Sequence, residues 1–160
     1  MKKIYLASDH AGFELKKKIK DYLEERPTDF TFTVEDLGTY STDPVSWAEY
    51  GAKAAQKVSE DPENSKGIII CGSGIGMSMV SNKFKNVRAA LCNNEYAAEM
   101  SRKHNNANVL NMGARVIDWE TALKIVDKWL NTEFEGGRHQ KRLDDLHRVE
   151  QNSFKCNKYG

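Results

Sequence analysis

The sequence lacks the features that mark several functional classes. Only three cysteines occur, Cys71, Cys92 and Cys156, an odd and sparse set that is no disulfide framework. No CxxC or HxxxH spacing appears, so no metal-ligand pattern is legible along the chain. No apolar run comes near the roughly 20 residues of a membrane-spanning helix. Met1-Lys2-Lys3 is followed only by the short apolar stretch "IYLA", too little for a secretory leader, and a cytoplasmic location is expected. Charge of either sign is not in excess either: the net charge is +1, which favours neither a nucleic-acid nor a membrane partner. What is present is 160 residues, 39% hydrophobic and 29% charged, the composition of an ordinary globular chain of single-domain length, expected to span 1–160.

A strand-then-helix rhythm organises the chain. "KIYLAS" is short, apolar and β-favouring, and "GFELKKKIKDYLEER" places Phe13, Leu15, Ile19, Tyr22 and Leu23 near helical spacing before Pro27 and Thr28 break it. "FTFTVEDLG" reads as a second strand, "SWAEYGAKAAQKVSE" as a helix with small residues for close packing, and "SKGIIIC" as a buried third strand. "MSMVSNKF" starts a helix, "VRAALC" is a fourth strand, and "NEYAAEMSRKHN" is a helix capped by Asn93 or Asn94. "NVLNMG" is a fifth strand, and "WETALKIVDKWLNTEF" is an amphipathic helix expected to end at Gly136-Gly137. The tail from Arg138 is a charged helix with few core positions, which must pack on the domain or on a second subunit. Strands alternating with helices predict an α/β fold, a five-stranded parallel sheet covered on both faces.

Ligands of such folds bind beyond the carboxyl ends of the strands. That rule selects Ser8 to Gly12, Asp36 to Thr39, Cys71 to Gly76 and Asn111 to Arg115. The turn Gly72-Ser73-Gly74-Ile75-Gly76 has GxGxG spacing and follows the third strand, with Met77 where a dinucleotide fingerprint needs its third glycine, so no nicotinamide cofactor is expected. One glycine would serve a tight corner; three in five residues leave several N–H groups free to face an anion. Cys71 ends the strand, either as a buried structural thiol or as a base or nucleophile facing a helix N-terminus. Asp9 reads as the N-cap of the first helix, which leaves His10 without a reason. His104 ends the fourth helix, where it can complement the helix dipole. Arg138 and Arg142 share one helix face beside His139 and Lys141, either as a solvated surface or as a phosphate clamp.

Together, "SDHAGFELK", "EDLGTYS", "GIIICGSGIGMSMVSNKF", "VRAALCNNEYAAEMSRKHNNANVLNMGAR" and "FEGGRHQKRL" resemble the ribose-5-phosphate isomerase B family, which also includes the galactose-6-phosphate isomerase subunits. The resemblance covers nearly the whole chain through Arg142. It implies a Rossmann-like α/β/α sandwich that uses neither cofactor nor metal. It implies that Cys71 is the base moving a proton between C1 and C2 through a cis-enediolate, that Gly72, Gly74 and Gly76 belong to an anion hole, and that Ser73 handles protons on the sugar oxygens. It assigns ring opening to His104 with Asp9 as partner, sugar and phosphate contacts to His10, Arg115, Arg138 and Arg142, and a substrate amide to Asn105. It also implies a homodimer or tetramer whose sites are shared between subunits, with the helix at about 138–155 at the interface.

The sequence departs from that family where an Asp-Tyr-Pro segment usually opens the second helix. Here "STDPVSWAEYG" puts Ser46-Trp47-Ala48 in its place. Trp47 is expected either to wall the sugar pocket or only to repack the helix start. The expected substrate is ribose 5-phosphate. The alternatives are a six-carbon sugar phosphate (allose or galactose 6-phosphate) and a non-catalytic sugar-phosphate sensor; no resolving cysteine near Cys71 supports thiol-redox chemistry.

Overall fold

The computed structural model describes residues 2–26 and 31–155. Pro27, Thr28, the Phe30 start of the second strand pattern and Cys156 lie outside the described residues. The elements run β1 (Lys2–Ser8), α1 (Phe13–Glu24), β2 (Phe32–Asp36), α2 (Trp47–Glu60), β3 (Ser65–Cys71), α3 (Ile75–Ser81), β4 (Ala89–Leu91), α4 (Glu95–Lys103), β5 (Val109–Gly113), α5 (Trp119–Asn131) and α6 (Arg138–Lys155). The strands form one five-stranded, all-parallel sheet in the order β2-β1-β3-β5-β4, the α/β/α architecture expected from the sequence.

Alternation along the central strands feeds two cores. Ile4, Leu6, Ile68, Ile70, Leu110 and Met112 point to one face, where α1, α4 and α5 cover them with residues such as Ile19, Ala98 and Trp129. Tyr5, Ala7, Ile69 and Cys71 point to the other, under Ala54, Ala55 and Val58 of α2 and Met77 of α3. Burial of each of the three consecutive isoleucines of β3, all fully enclosed, stabilises the fold by about 2 kcal/mol. Small residues let α2 approach closely: a Cβ on Gly51 would lie within 2.7 Å of both Val80 and Met77.

Local signals set most helix ends. Ser46 accepts from Glu49 N–H, Asn94 from Ala97 N–H and Asp118 from Thr121 N–H, each capping its helix. Two expectations need correction. Asp9 is not the cap of α1; Gly12 is, and the Asp9 carboxylate accepts the Gly12 N–H one turn earlier, at 3.1 Å. Nor does α5 reach Gly136-Gly137. It ends at Asn131, because Thr132 turns extended and its hydroxyl donates back to the Lys128 carbonyl. The chain from there is tied to α4: Arg102 donates to the Thr132 carbonyl, and Glu135 N–H to the Lys103 carbonyl. Gly136 and Gly137, both at positive φ, serve the entry to α6 instead. Among the described residues, no helix is long and apolar enough to cross a membrane.

Candidate active site

The sheet order places a switch point between β1 and β3: the chain leaves β1 toward β2 on one side and leaves β3 toward β4 on the other. The loops after these strands therefore part and leave a crevice at their carboxyl ends. Ser8 pairs with Ile70 and Cys71 with Gly113, so Asp9, His10, Cys71 and the segment to Arg115 meet at this edge. Asp9 is 6% exposed and Cys71 5%.

The glycine turn is shaped around the thiol. Gly74 has φ +80°, and in this conformation its N–H donates to Cys71 Sγ at 3.2 Å. A side chain at Gly74 would meet the Leu91 side chain and the Met112–Gly113 backbone. Ser73 is exposed and its hydroxyl accepts from Ile75 N–H. Among the described residues, the N–H groups of Gly72, Ser73 and Gly76 have no acceptor, as an anion-facing turn requires. Arg115 is exposed and lies over Gly72, its Nη1 3.3 Å from where a Cβ would stand. The Trp47 ring lies against Gly76 at 2.8–3.0 Å from a notional Cβ and is 42% exposed. Trp47 therefore stands beside the turn, with a face left to solvent.

His10 has a definite partner: its Nδ1 accepts the Val45 N–H at 3.1 Å. That bond ties the β1–α1 turn to the 37–46 loop. The same loop is anchored by Lys16, a residue that sequence reading passed over. Lys16 is fully buried, and its Nζ donates to Asp36 at 2.5 Å and to the Thr39 carbonyl at 2.6 Å. Burial lowers the Lys16 pKa, with the Asp36 bond acting the other way. The signal was available: Lys16 stands three residues from Phe13 and from Ile19, on the apolar stripe of α1.

The remaining expected residues are elsewhere. His104 is the C-cap of α4, and Asn105 follows it. Both precede β5, whereas Cys71 lies beside the far end of that strand. Five residues of strand separate the two levels by about 13 Å. His104 gathers instead with the start of α6: its ring stacks on His139 at 4.3 Å between centroids and 16° between planes. His139 is 4% exposed. Burial, and then the charges of His104, Arg138 and Arg142, hold its pKa below the usual histidine value, against the pull of Glu135. Arg138 and Arg142 are exposed on α6, and among the described residues neither has an ion-pair partner. One chain thus carries two half-constellations at opposite edges of its sheet: a thiol with an N–H-lined turn, and a histidine pair with two arginines. Along the chain His139 reads only as added basicity beside Arg138 and Arg142.

A parallel α/β sheet with a thiol-bearing, N–H-lined turn at its switch point defines an α/β protein of the class that takes small ligands at the carboxyl ends of its strands. A sequence model of the family described as Ribose/Galactose Isomerase matches residues 4–146, and the chain belongs to that family. Ribose-5-phosphate isomerase B of Escherichia coli strain K12 is 43% identical over 151 residues, covering 94% of this chain and 98% of that protein. A structure of ribose-5-phosphate isomerase B from Clostridium thermocellum superposes with a TM-score of 0.88 at 43% identity, covering 94% of this chain and 99% of that one. The Mycoplasma genitalium enzyme, crystallised with bound ribulose-5-phosphate, gives a TM-score of 0.87 at 41% identity over 93% of this chain and 96% of that one.

Proposed function

We propose that this chain is an aldose–ketose isomerase that interconverts ribose 5-phosphate and ribulose 5-phosphate. The observation that carries this reading is Cys71, placed at the switch-point crevice with the Gly74 N–H aimed at its sulfur. That N–H fixes the orientation of the sulfur at the mouth of the turn. In the open-chain sugar, Cys71 takes the proton from C2 and returns it to C1, and the reverse reaction exchanges those roles. The cis-enediolate between them carries its charge on oxygen, where the unpartnered N–H groups of Gly72, Ser73 and Gly76 supply fixed donors. Ser73 passes protons among the sugar oxygens, and Asp9, His10 and Arg115 line the same crevice. Binding of the remote phosphate by Arg138 and Arg142 positions the reacting carbons. Trp47 walls the pocket beside Gly76 and sets how long a sugar fits.

The separation of His104, Asn105, Arg138 and Arg142 from Cys71 within one chain supports a site completed by a second copy. In this reading His104 opens the ring and Asn105 contacts the sugar from the partner's edge, while the whole chain acts as one isomerase domain. The α6 face with Leu146, Val149 and Phe154, all exposed, supports placing α6 at that interface, as part of a homodimer or a tetramer.

The test is turnover of ribose 5-phosphate, allose 6-phosphate and galactose 6-phosphate by the purified protein and by Cys71→Ala. Ribose 5-phosphate is expected to be the best substrate. Turnover of none of the three overturns the isomerase reading. Preference for a six-carbon substrate reassigns the sugar, and full activity in Cys71→Ala removes the thiol as base.

A further inference from the structure

The histidine pair has chemistry that ring opening alone does not use. His139 Nε2 is buried and has no hydrogen-bond partner. It lies 3.4 Å from Glu135 Oε2, close but without hydrogen-bond geometry. A ring nitrogen rarely goes to such a place unpaired, because an unsatisfied buried polar atom costs about 1–3 kcal/mol. Ligand atoms of His104, Glu135 and His139 all lie within 4.8 Å of one another. We propose that His139, Glu135 and His104 form a binding site for a divalent transition-metal ion of the zinc type, whose occupancy removes His104 from the sugar and inhibits turnover. The inhibitory part rests on the assignment of His104 under the proposed function; the binding part does not.

The donor set suits such an ion: two imidazoles and a carboxylate form a three-ligand site with a fourth position open to water. At metal–ligand distances of about 2.0–2.2 Å, neighbouring ligand atoms of a tetrahedral site stand about 3.4 Å apart. The Nε2–Oε2 pair is already at that separation. Backbone bonds hold both residues in place: Glu135 N–H on the Lys103 carbonyl, and His139 N–H on the Gly136 carbonyl. His104 must move. In the stacked geometry the lone pairs of the two rings lie in nearly parallel planes 4.3 Å apart at the centroids, so a shared ion requires the His104 ring to turn out of the stack. Among the described residues no hydrogen bond holds the His104 ring, and it is half-buried rather than enclosed. Arg138 and Arg142 oppose a cation here, and the Glu135 carboxylate offsets part of that repulsion.

The experiment titrates the purified full chain with Co²⁺, followed by visible absorption, and then displaces it with Zn²⁺. A tetrahedral cobalt spectrum without a sulfur charge-transfer band is expected. Glu135→Gln changes an exposed loop residue and keeps the fold and the metal-free turnover; His139→Asn removes the buried ligand. Both are expected to weaken binding beyond the roughly 10–100-fold that outer contacts cost. Zn²⁺ is expected to inhibit the wild-type chain far more strongly than Glu135→Gln. Absence of binding, binding as tight as wild type in either variant, or a sulfur band that assigns the metal to a cysteine overturns the site. Binding lost in both variants, with wild-type turnover untouched by Zn²⁺, upholds the site and overturns the ring-opening role of His104 instead.

Discussion

Replacing Lys16 with methionine tests whether a buried ion pair holds one wall of the crevice. The ammonium is fully enclosed and binds Asp36 and the Thr39 carbonyl, and Asp36 in turn accepts the Gly38 N–H at 2.9 Å. Methionine fills the stem volume but leaves a carboxylate and a carbonyl without their cation. Removing one partner of a buried pair costs about 3–5 kcal/mol. The Asp36 side chain keeps 16% exposure, so water reaches the abandoned carboxylate and the lower end applies, about 3 kcal/mol. For a chain of this size, about 2–4 °C of Tm accompanies each kcal/mol, which gives a fall of about 6–12 °C. Urea unfolding, with m unchanged, is the equilibrium check. Because the 37–46 loop also carries the Val45 N–H that binds His10, KM for the sugar phosphate should rise in parallel. Adding Asp36→Leu removes the isolated charge and should recover much of the lost stability. A Tm within about 1 °C of wild type for Lys16→Met refutes the reasoning, since that is less than one kcal/mol of coupling.

Other perturbations separate the two edges of the sheet. Cys71→Ala should lower turnover by about 10²–10⁴, the range of a lost general base, with Tm nearly unchanged; an unaltered turnover refutes its role. Arg138→Ala and Arg142→Ala should each raise KM by about 10–100-fold, the worth of a charged hydrogen bond, with kcat little altered; unchanged KM in both refutes the clamp. Gly76→Ala should displace the Trp47 ring, which lies 2.8 Å from the added carbon, and shift both the tryptophan emission and the pentose-to-hexose preference; Trp47→Phe should alter the same preference, and an unaltered ratio in both removes Trp47 from the pocket. Lys66, beneath the Trp129 and Phe32 rings, has its pKa pushed down to about 8 by burial and by Arg102. Between pH about 8 and about 10.5 the unfolded chain holds a proton that the folded chain has released, so stability from this group rises with pH by up to about 3 kcal/mol. Urea unfolding across that window should show the rise in wild type and lose it in Lys66→Met.

Fold and site differ in how far the sequence exposes them. The strand that ends at Cys71 was readable because both its faces are buried, which leaves an unbroken apolar run. The cap of α4, expected at Asn93 or Asn94 and found at Asn94, was readable because capping depends on a side chain and an amide three residues apart. The end of α5 was not, because Thr132 leaves helical geometry to satisfy Arg102 on another helix, a tertiary contact no local pattern encodes. The crevice was legible where one loop supplies everything, as with Cys71 and Gly74. It was hidden where two segments meet: Val45 on His10, Trp47 on Gly76, Lys16 under Thr39. His139 looked like one more basic residue of a charged helix until the fold buried it against His104.

The placement of the two half-sites also constrains how a complete site can arise. Register fixes Cys71 beside Gly113 at one end of β5, and the α4 connection fixes His104 before the other end. No rotamer spans about 13 Å of strand, and a hinge that closed that gap would break the β3–β5 pairing that carries Ile68 to Ile70. If the two halves belong to one site, as proposed above, that site cannot form by closure of one chain. It can form if the thiol edge of one copy faces the histidine edge of another. When the two copies are related by a two-fold axis, each contact generates its mirror, and one interface yields two equivalent sites. That geometry makes a sharp demand on mixed dimers of a Cys71→Ala chain with an Arg138→Ala chain. One of the two sites then collects both defects and the other collects neither, so at substrate concentrations well below the KM of Arg138→Ala such mixtures should turn over faster than either variant alone. Failure of a demonstrated mixed dimer to do so would place thiol and arginines in separate sites.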